Sequence, residues 1–110
     1  MSLFEIKPGT PSVEEFLDLR GSVEMGTRSL EGVKKGLGNE LFGALLYLRN
    51  GGELVGMGRV VGDGGTVFHI CDMVVKPEWQ KKGGGTMVMD ALMNFIEEVG
   101  VSDACLLYTS

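Results

Sequence analysis

Apolar positions along the chain follow two periods, and the switches between them mark out the elements. Residues 4–7 alternate apolar and polar before Pro8-Gly9, which predicts a short first strand. Ser12-Val13-Glu14-Glu15 then places a Ser three residues before a Glu, the capping-box pattern, with Pro11 just ahead of it. Val13, Phe16 and Leu17 supply the apolar face of a helix running to about Arg20. Residues 21–27 read as a loop. Ser29 predicts the cap of a second short helix with Leu30, Val33 and Leu37 on its buried side, ended by Gly38.

Strands dominate the middle of the chain. Residues 42–49 form an apolar run, and Asn50-Gly51-Gly52 is a hairpin turn of the kind that needs positive φ. Residues 53–61 return, Gly62-Asp63-Gly64-Gly65 turns the chain again, and residues 66–75 complete an antiparallel meander. Pro77 stops that last strand, and a glycine-rich loop opens a helix over residues 85–99. Its apolar positions are Val88, Met89, Leu92, Met93, Ile96 and Val99, with Asp90, Asn94 and Glu97 opposite. Residues 102–108 start like one further strand, giving the order β-α-α-β-β-β-α-β and an α/β fold. No repeat, linker or low-complexity stretch divides residues 1–110, so one domain is expected.

Composition narrows the partners. A net charge of −5 argues against a broad nucleic-acid or anionic-membrane footprint. No apolar run approaches the roughly 20 residues of a membrane span, and the N-terminus lacks a signal-peptide core. Cys71 and Cys105 are too few for a metal site or a disulfide framework, so a cytoplasmic setting with no metal is expected. Glycine stands out at 18 of 110 residues, more than twice the usual ~7%, which implies many turns and close backbone approaches.

The glycines matter most where a strand feeds a helix. First-turn N–H groups point out of a helix, its dipole favours anions, and Gly lets backbone come close, so such a junction suits a phosphate. Gly83, Gly84, Gly85 and Thr86 occupy that place here, and Lys81 and Lys82 add positive charge to an acidic chain. The spacing matches neither the dinucleotide nor the P-loop pattern. Gln80-Lys81-Lys82-Gly83-Gly84-Gly85 instead resembles the (Gln/Arg)-x-x-Gly-x-(Gly/Ala) signature of the GNAT N-acetyltransferase superfamily. The lead-in Val75-Lys76-Pro77-Glu78-Trp79-Gln80 resembles that family's strand-to-loop sequence, with Pro and an aromatic where they usually fall.

The resemblance implies a GNAT-like (acyl-CoA N-acyltransferase) fold, a mixed and mostly antiparallel sheet flanked by helices. It implies transfer of an acetyl group from acetyl-CoA to a primary amine by a direct ternary-complex route, without a covalent enzyme intermediate. Gln80, Lys81, Lys82, Gly83, Gly84, Gly85 and Thr86 would then wrap the coenzyme pyrophosphate, and the backbone of Met73, Val74 and Val75 would pair with the pantetheine arm. Gly84 departs from the family, where Ile or Leu is usual, and a more flexible loop is expected. The acceptor implied is a small-molecule amine, an amino acid or a protein N-terminus. A non-catalytic module that binds or senses coenzyme A is the alternative.

Direct transfer needs a base for the amine, and two residues are candidates. Strand periodicity predicts His69, Cys71 and Met73 on one face and Ile70, Asp72 and Val74 on the other. His69, the chain's only histidine, falls where some relatives keep a catalytic Glu, and an imidazole titrating near ~6.5 suits a base acting through water. Asp72 is the second candidate, with a structural carboxylate as its plainer reading. Cys71 reads as core, and Gly58-Arg59 as a bulge with a solvated Arg. The family's usual acid, a Tyr on the helix after the next strand, has no match here.

In the family that next strand leads into a further helix and two strands, so the chain reads as a C-terminally truncated domain. Residues 1–110 are expected to be inactive, and the cut strand edge to make them aggregation-prone or a homodimer. Cys105-Leu106-Leu107-Tyr108-Thr109-Ser110 also resembles one reading frame of the transposon mosaic-end adapter used in sequencing libraries. On that reading residues 105–110 are not native; a genuine strand is the alternative.

Overall fold

A computed structural model describes residues 2–25, 28–100 and 104–108. The elements are β1 (Phe4–Pro8), α1 (Val13–Gly21), α2 (Leu30–Gly36), β2 (Phe42–Leu48), β3 (Leu54–Gly62), β4 (Val67–Val75), a single 3₁₀ turn (Pro77–Trp79), α3 (Gly84–Val99) and β5 (Cys105–Tyr108). They follow the predicted order. The strands form one sheet in sequence order, β1 to β4 antiparallel and β4 to β5 parallel. Residues 1, 26, 27, 101–103, 109 and 110 lie outside the described residues, so parts of the predicted loop and last strand do as well.

Local codes set the boundaries. At α1, Ser12 Oγ accepts from the Glu15 amide at 3.1 Å and the Glu15 carboxylate accepts from the Ser12 amide at 2.8 Å, a complete capping box. Ser29 Oγ caps α2 by accepting from the Gly32 amide at 3.0 Å. The β2–β3 turn uses Gly51 and Gly52 at φ 93° and 71°. In the β3–β4 turn, Asp63 accepts from the Thr66 hydroxyl and from the amides of Gly65, Thr66 and Val67. The Thr66 hydroxyl first, and then those amides, hold its carboxyl well below the usual carboxylate range.

The sheet is covered on both faces. α3 packs Val88, Leu92 and Ile96 against Phe4, Leu46, Val55, Val60, Phe68 and Ile70. On the opposite face Phe16, Leu19 and Val33 of α1 and α2 meet Leu45, Met57 and Val74. Each such apolar side chain contributes about 1.5–3 kcal/mol on burial, so two-sided coverage is the main term holding the sheet. Gly58 is the seat of α3: a Cβ there would lie 2.7 Å from Val88 Cγ1 and 2.9 Å from Leu92 Cδ1.

Two residues predicted in the core are outside it. Leu30 is 51% exposed because α2 has only two turns and presents Val33 to the core. Val99 is 43% exposed in the last turn of α3, beyond the buried stripe that Ile96 closes. Leu106 of β5 is also exposed. Among the described residues no helix is long and apolar enough to cross a membrane.

Candidate active site

The site is built where β4 departs from regular pleating. Met57 pairs with Val74 and Arg59 with Cys71, so Asp72 and Met73 together oppose Gly58. This is a β-bulge, and Asp72 takes the left-handed conformation at φ 54°. The extra residue corrects the predicted faces. Ile70 shares the α3 side with Met73 and Val75, while Asp72 stays on the α1–α2 side with Cys71 and Val74. A strict period of two does not survive one inserted residue.

Buried charge clamps the bulge. Asp72 Oδ1 accepts from Arg20 Nη1 at 2.5 Å and its Oδ2 accepts from Arg59 Nη1 at 3.1 Å. Arg59 Nε also lies 3.1 Å from Glu40 Oε1, an ion pair not aligned as a hydrogen bond. Both guanidinium groups stack within 6 Å of the Phe16 ring, Arg20 at 5.9 Å and Arg59 at 5.8 Å. Arg59 is therefore a partly buried network residue and not the solvated side chain expected. Neither Arg20 nor Glu40 was singled out from sequence. The available signal was Asp72 and Arg59, each alone inside an apolar strand, because a buried charge requires a partner.

Arg20 does a second job. Its Nη2 donates to the Met25 carbonyl at 2.9 Å, so one guanidinium joins the bulge to the segment that follows α1. Between those two tied walls opens a cleft of about 500 Å³, lined by Val23, Glu24 and Met25 on one side and by Met73, Val74, Val75 and Gln80 on the other. A hollow of about 260 Å³, bordered by Met73, Val75, Gln80, Gly85 and Val88, lies between β4 and the start of α3. The open edge has a simple cause. β5 pairs only with Val67 to Ile70, so among the described residues Cys71 to Val75 carry no strand on that side.

The glycine loop meets this cleft. Gln80 Nε2 donates to the Val75 carbonyl at 2.8 Å and fixes the loop to the end of β4. Gly83 caps α3 at φ 91°, no side chain caps the terminus, and the first turn holds no acidic residue. The amides of Gly84, Gly85 and Thr86 thus lack intrahelical partners. Gly84 is set by packing and is not the source of looseness expected: a Cβ there would lie 2.6 Å from Leu46 Cδ2 and 3.2 Å from the Phe4 ring. A Cβ on Gly85 would meet nothing within 4 Å, which leaves that side of the turn open. Lys81 and Lys82 are exposed beside it.

Of the predicted residues, Met73, Val74, Val75, Gln80 and Gly85 come together around the cleft. His69 is half-buried on β4 ahead of the bulge and lines neither of these spaces. Burial first, and then the negative charge of Asp72, pushes the Cys71 thiol up, which keeps it protonated at neutral pH.

A sequence profile of the Acetyltransferase (GNAT) family matches residues 15–109. The chain belongs to the GNAT acetyltransferase family. This GNAT domain is 34% identical to a protein of unknown function from meticillin-resistant Staphylococcus aureus, named a probable acetyltransferase. The two superpose with a TM-score of 0.89 over 97% of this chain and 79% of the other. A GNAT family protein from Streptococcus pneumoniae shares the fold at 24% identity and TM-score 0.78, over 97% of this chain and 75% of that one. Glucosamine-6-phosphate N-acetyltransferase from Arabidopsis thaliana shares it at 18% identity and TM-score 0.68, over 96% and 82% of the two chains. No curated protein matches.

The GNAT bulge yields a stability prediction. Asp72→Asn removes the charge that pairs with the buried Arg20 and the partly buried Arg59, and breaking a buried pair this way costs about 3–5 kcal/mol. Urea unfolding should show that loss. A loss below about 1 kcal/mol would mean that the clamp does not hold the bulge.

Proposed function

We propose that this GNAT domain transfers an acetyl group from acetyl-CoA to a primary amine by direct attack in a ternary complex. The observation that carries the reading is the continuous path from the open edge of β4 to the uncapped N-terminus of α3. An extended pantetheine arm carries amide groups that add to a free strand edge as another strand would, with Met73, Val74 and Val75 supplying the backbone. At the end of that edge the amides of Gly83, Gly84, Gly85 and Thr86 face a diphosphate, whose charge the helix dipole favours. Lys81 and Lys82 add to the field, and Gln80 holds loop and strand together.

The thioester supplies an activated acyl carbon: a C–N bond forms, the C–S bond breaks, and the leaving sulfur takes a proton. The chain's own residues manage position and protons. His69 accepts the amine proton through water from its place on β4. Asp72, with both carboxylate oxygens engaged, serves by holding the bulge open. Cys71 stays a neutral thiol, which favours direct transfer over an acyl-cysteine route.

Two measurements test this reading. Gly85→Val places a branched side chain into open space, so the fold should be kept while calorimetry shows coenzyme A binding at least about tenfold weaker, ~1.4 kcal/mol. Lys82→Ala should cost less than about 1 kcal/mol, as exposed charges do. Equal losses for both would replace the backbone cradle with simple charge attraction. For the base, His69→Ala should lower kcat with coenzyme A affinity unchanged. An unaltered kcat removes His69 from the reaction, and binding without any acetyl transfer would favour a coenzyme-sensing module.

A further inference from the structure

A third space, distinct from the coenzyme cleft, lies between α1, α2 and the sheet. It measures about 90 Å³, and Phe16, Val33 and Leu37 give it an apolar floor. That is about three waters' worth of room, enough for a small acidic group and a few methylenes. Arg28, Arg59 and Asp72 supply its charge. Arg20 and Arg59 are offset by Asp72 and Glu40, but among the described residues Arg28 has no ion-pair partner. The wall therefore carries one uncompensated positive charge in a chain whose net charge is −5.

α2 is shaped around this space. Gly32 and Gly36 both line it, four residues apart on a seven-residue helix. At Gly32 a Cβ would lie 3.0 Å from the capping Ser29 Oγ, whereas at Gly36 it would meet nothing within 4 Å, so internal packing does not demand glycine at Gly36. Asp72 lines this space, and the next residue across the bulge, Met73, lines the acyl cleft.

We propose that this space holds the carboxylate of the acceptor, which makes the acceptor an amino acid or a similar carboxylate-bearing amine, with Arg28 as the specificity-determining residue. One uncompensated guanidinium matches a monoanion, whereas a phosphate dianion would leave a negative charge unpaired near Asp72. The apolar floor takes the methylenes beside the carboxylate. This rests on the acetyl-transfer reading for where the amine goes, but the anion site is testable alone.

The experiment is an NMR titration of the protein with N-acetyl-leucine, with the uncharged N-acetyl-leucinamide, and with a phosphate-bearing aminoalkyl compound of similar length. The carboxylate should bind at least tenfold more tightly than the amide and shift signals at Gly32, Gly36 and Arg28. Arg28→Gln, a change at an exposed side chain, should remove that preference, and Arg28→Lys should restore part of it. Coenzyme A titrated into the same variants should bind as before. Equal binding of acid and amide, or an Arg28→Gln protein with an intact preference, overturns the proposal, and tighter binding of the phosphate compound overturns the carboxylate assignment. Carboxylate binding with no coenzyme A binding would sink the acetyl-transfer reading and leave the anion site standing.

Discussion

The Asp72 carboxylate, held between Arg20 and Arg59, is the contact on which the rest of the site depends. It secures a left-handed residue inside a strand, a conformation that regular pairing would not keep. It also turns Met73 toward α3 and Val74 toward α1, so side chains on both faces close over the bulge. Because Arg20 reaches on to the Met25 carbonyl, the same charge cluster sets the spacing of the cleft walls. Buried charges cost several kcal/mol to desolvate, and an apolar replacement of like volume would often be more stable. What the ionic version supplies is a defined shape: a guanidinium fork bonds in fixed directions, where packed methyl groups would let the bulge relax.

Glycine divides its work around this bulge. Gly58 and Gly84 are occupied by the protein itself, since Val88, Leu92, Leu46 and Phe4 stand where their side chains would be. Gly83 serves the backbone, turning the chain at φ 91° into the helix. Gly85 alone of the triplet faces open space with no unusual φ. Three adjacent residues of one type thus have three causes, and only one of them leaves open space outside the fold.

Elements with strong local codes were legible in the sequence. The capping box at Ser12, the Gly51-Gly52 turn, Pro77 after β4 and the glycines before α3 all act where they were expected. The strand-loop-helix stretch also sufficed to indicate the family. The bulge was not legible, because counting by twos assumes the regularity that Asp72 breaks. The clamp was hidden for a different reason: Arg20 and Asp72 are 52 residues apart, and nothing local to either announces the other. Leu30 and Val99 show the limit of periodicity, which gives the direction of a side chain but not where the opposing surface ends.

The proposed function requires one strand edge and one helix terminus, joined at the clamped bulge, to act as a single binding path. Amide hydrogen exchange with and without coenzyme A decides this. Exchange should slow together at residues 73–75 and 83–86, with β1 and α2 unchanged. Protection confined to one of those two stretches, or found elsewhere with both unaffected, would contradict it.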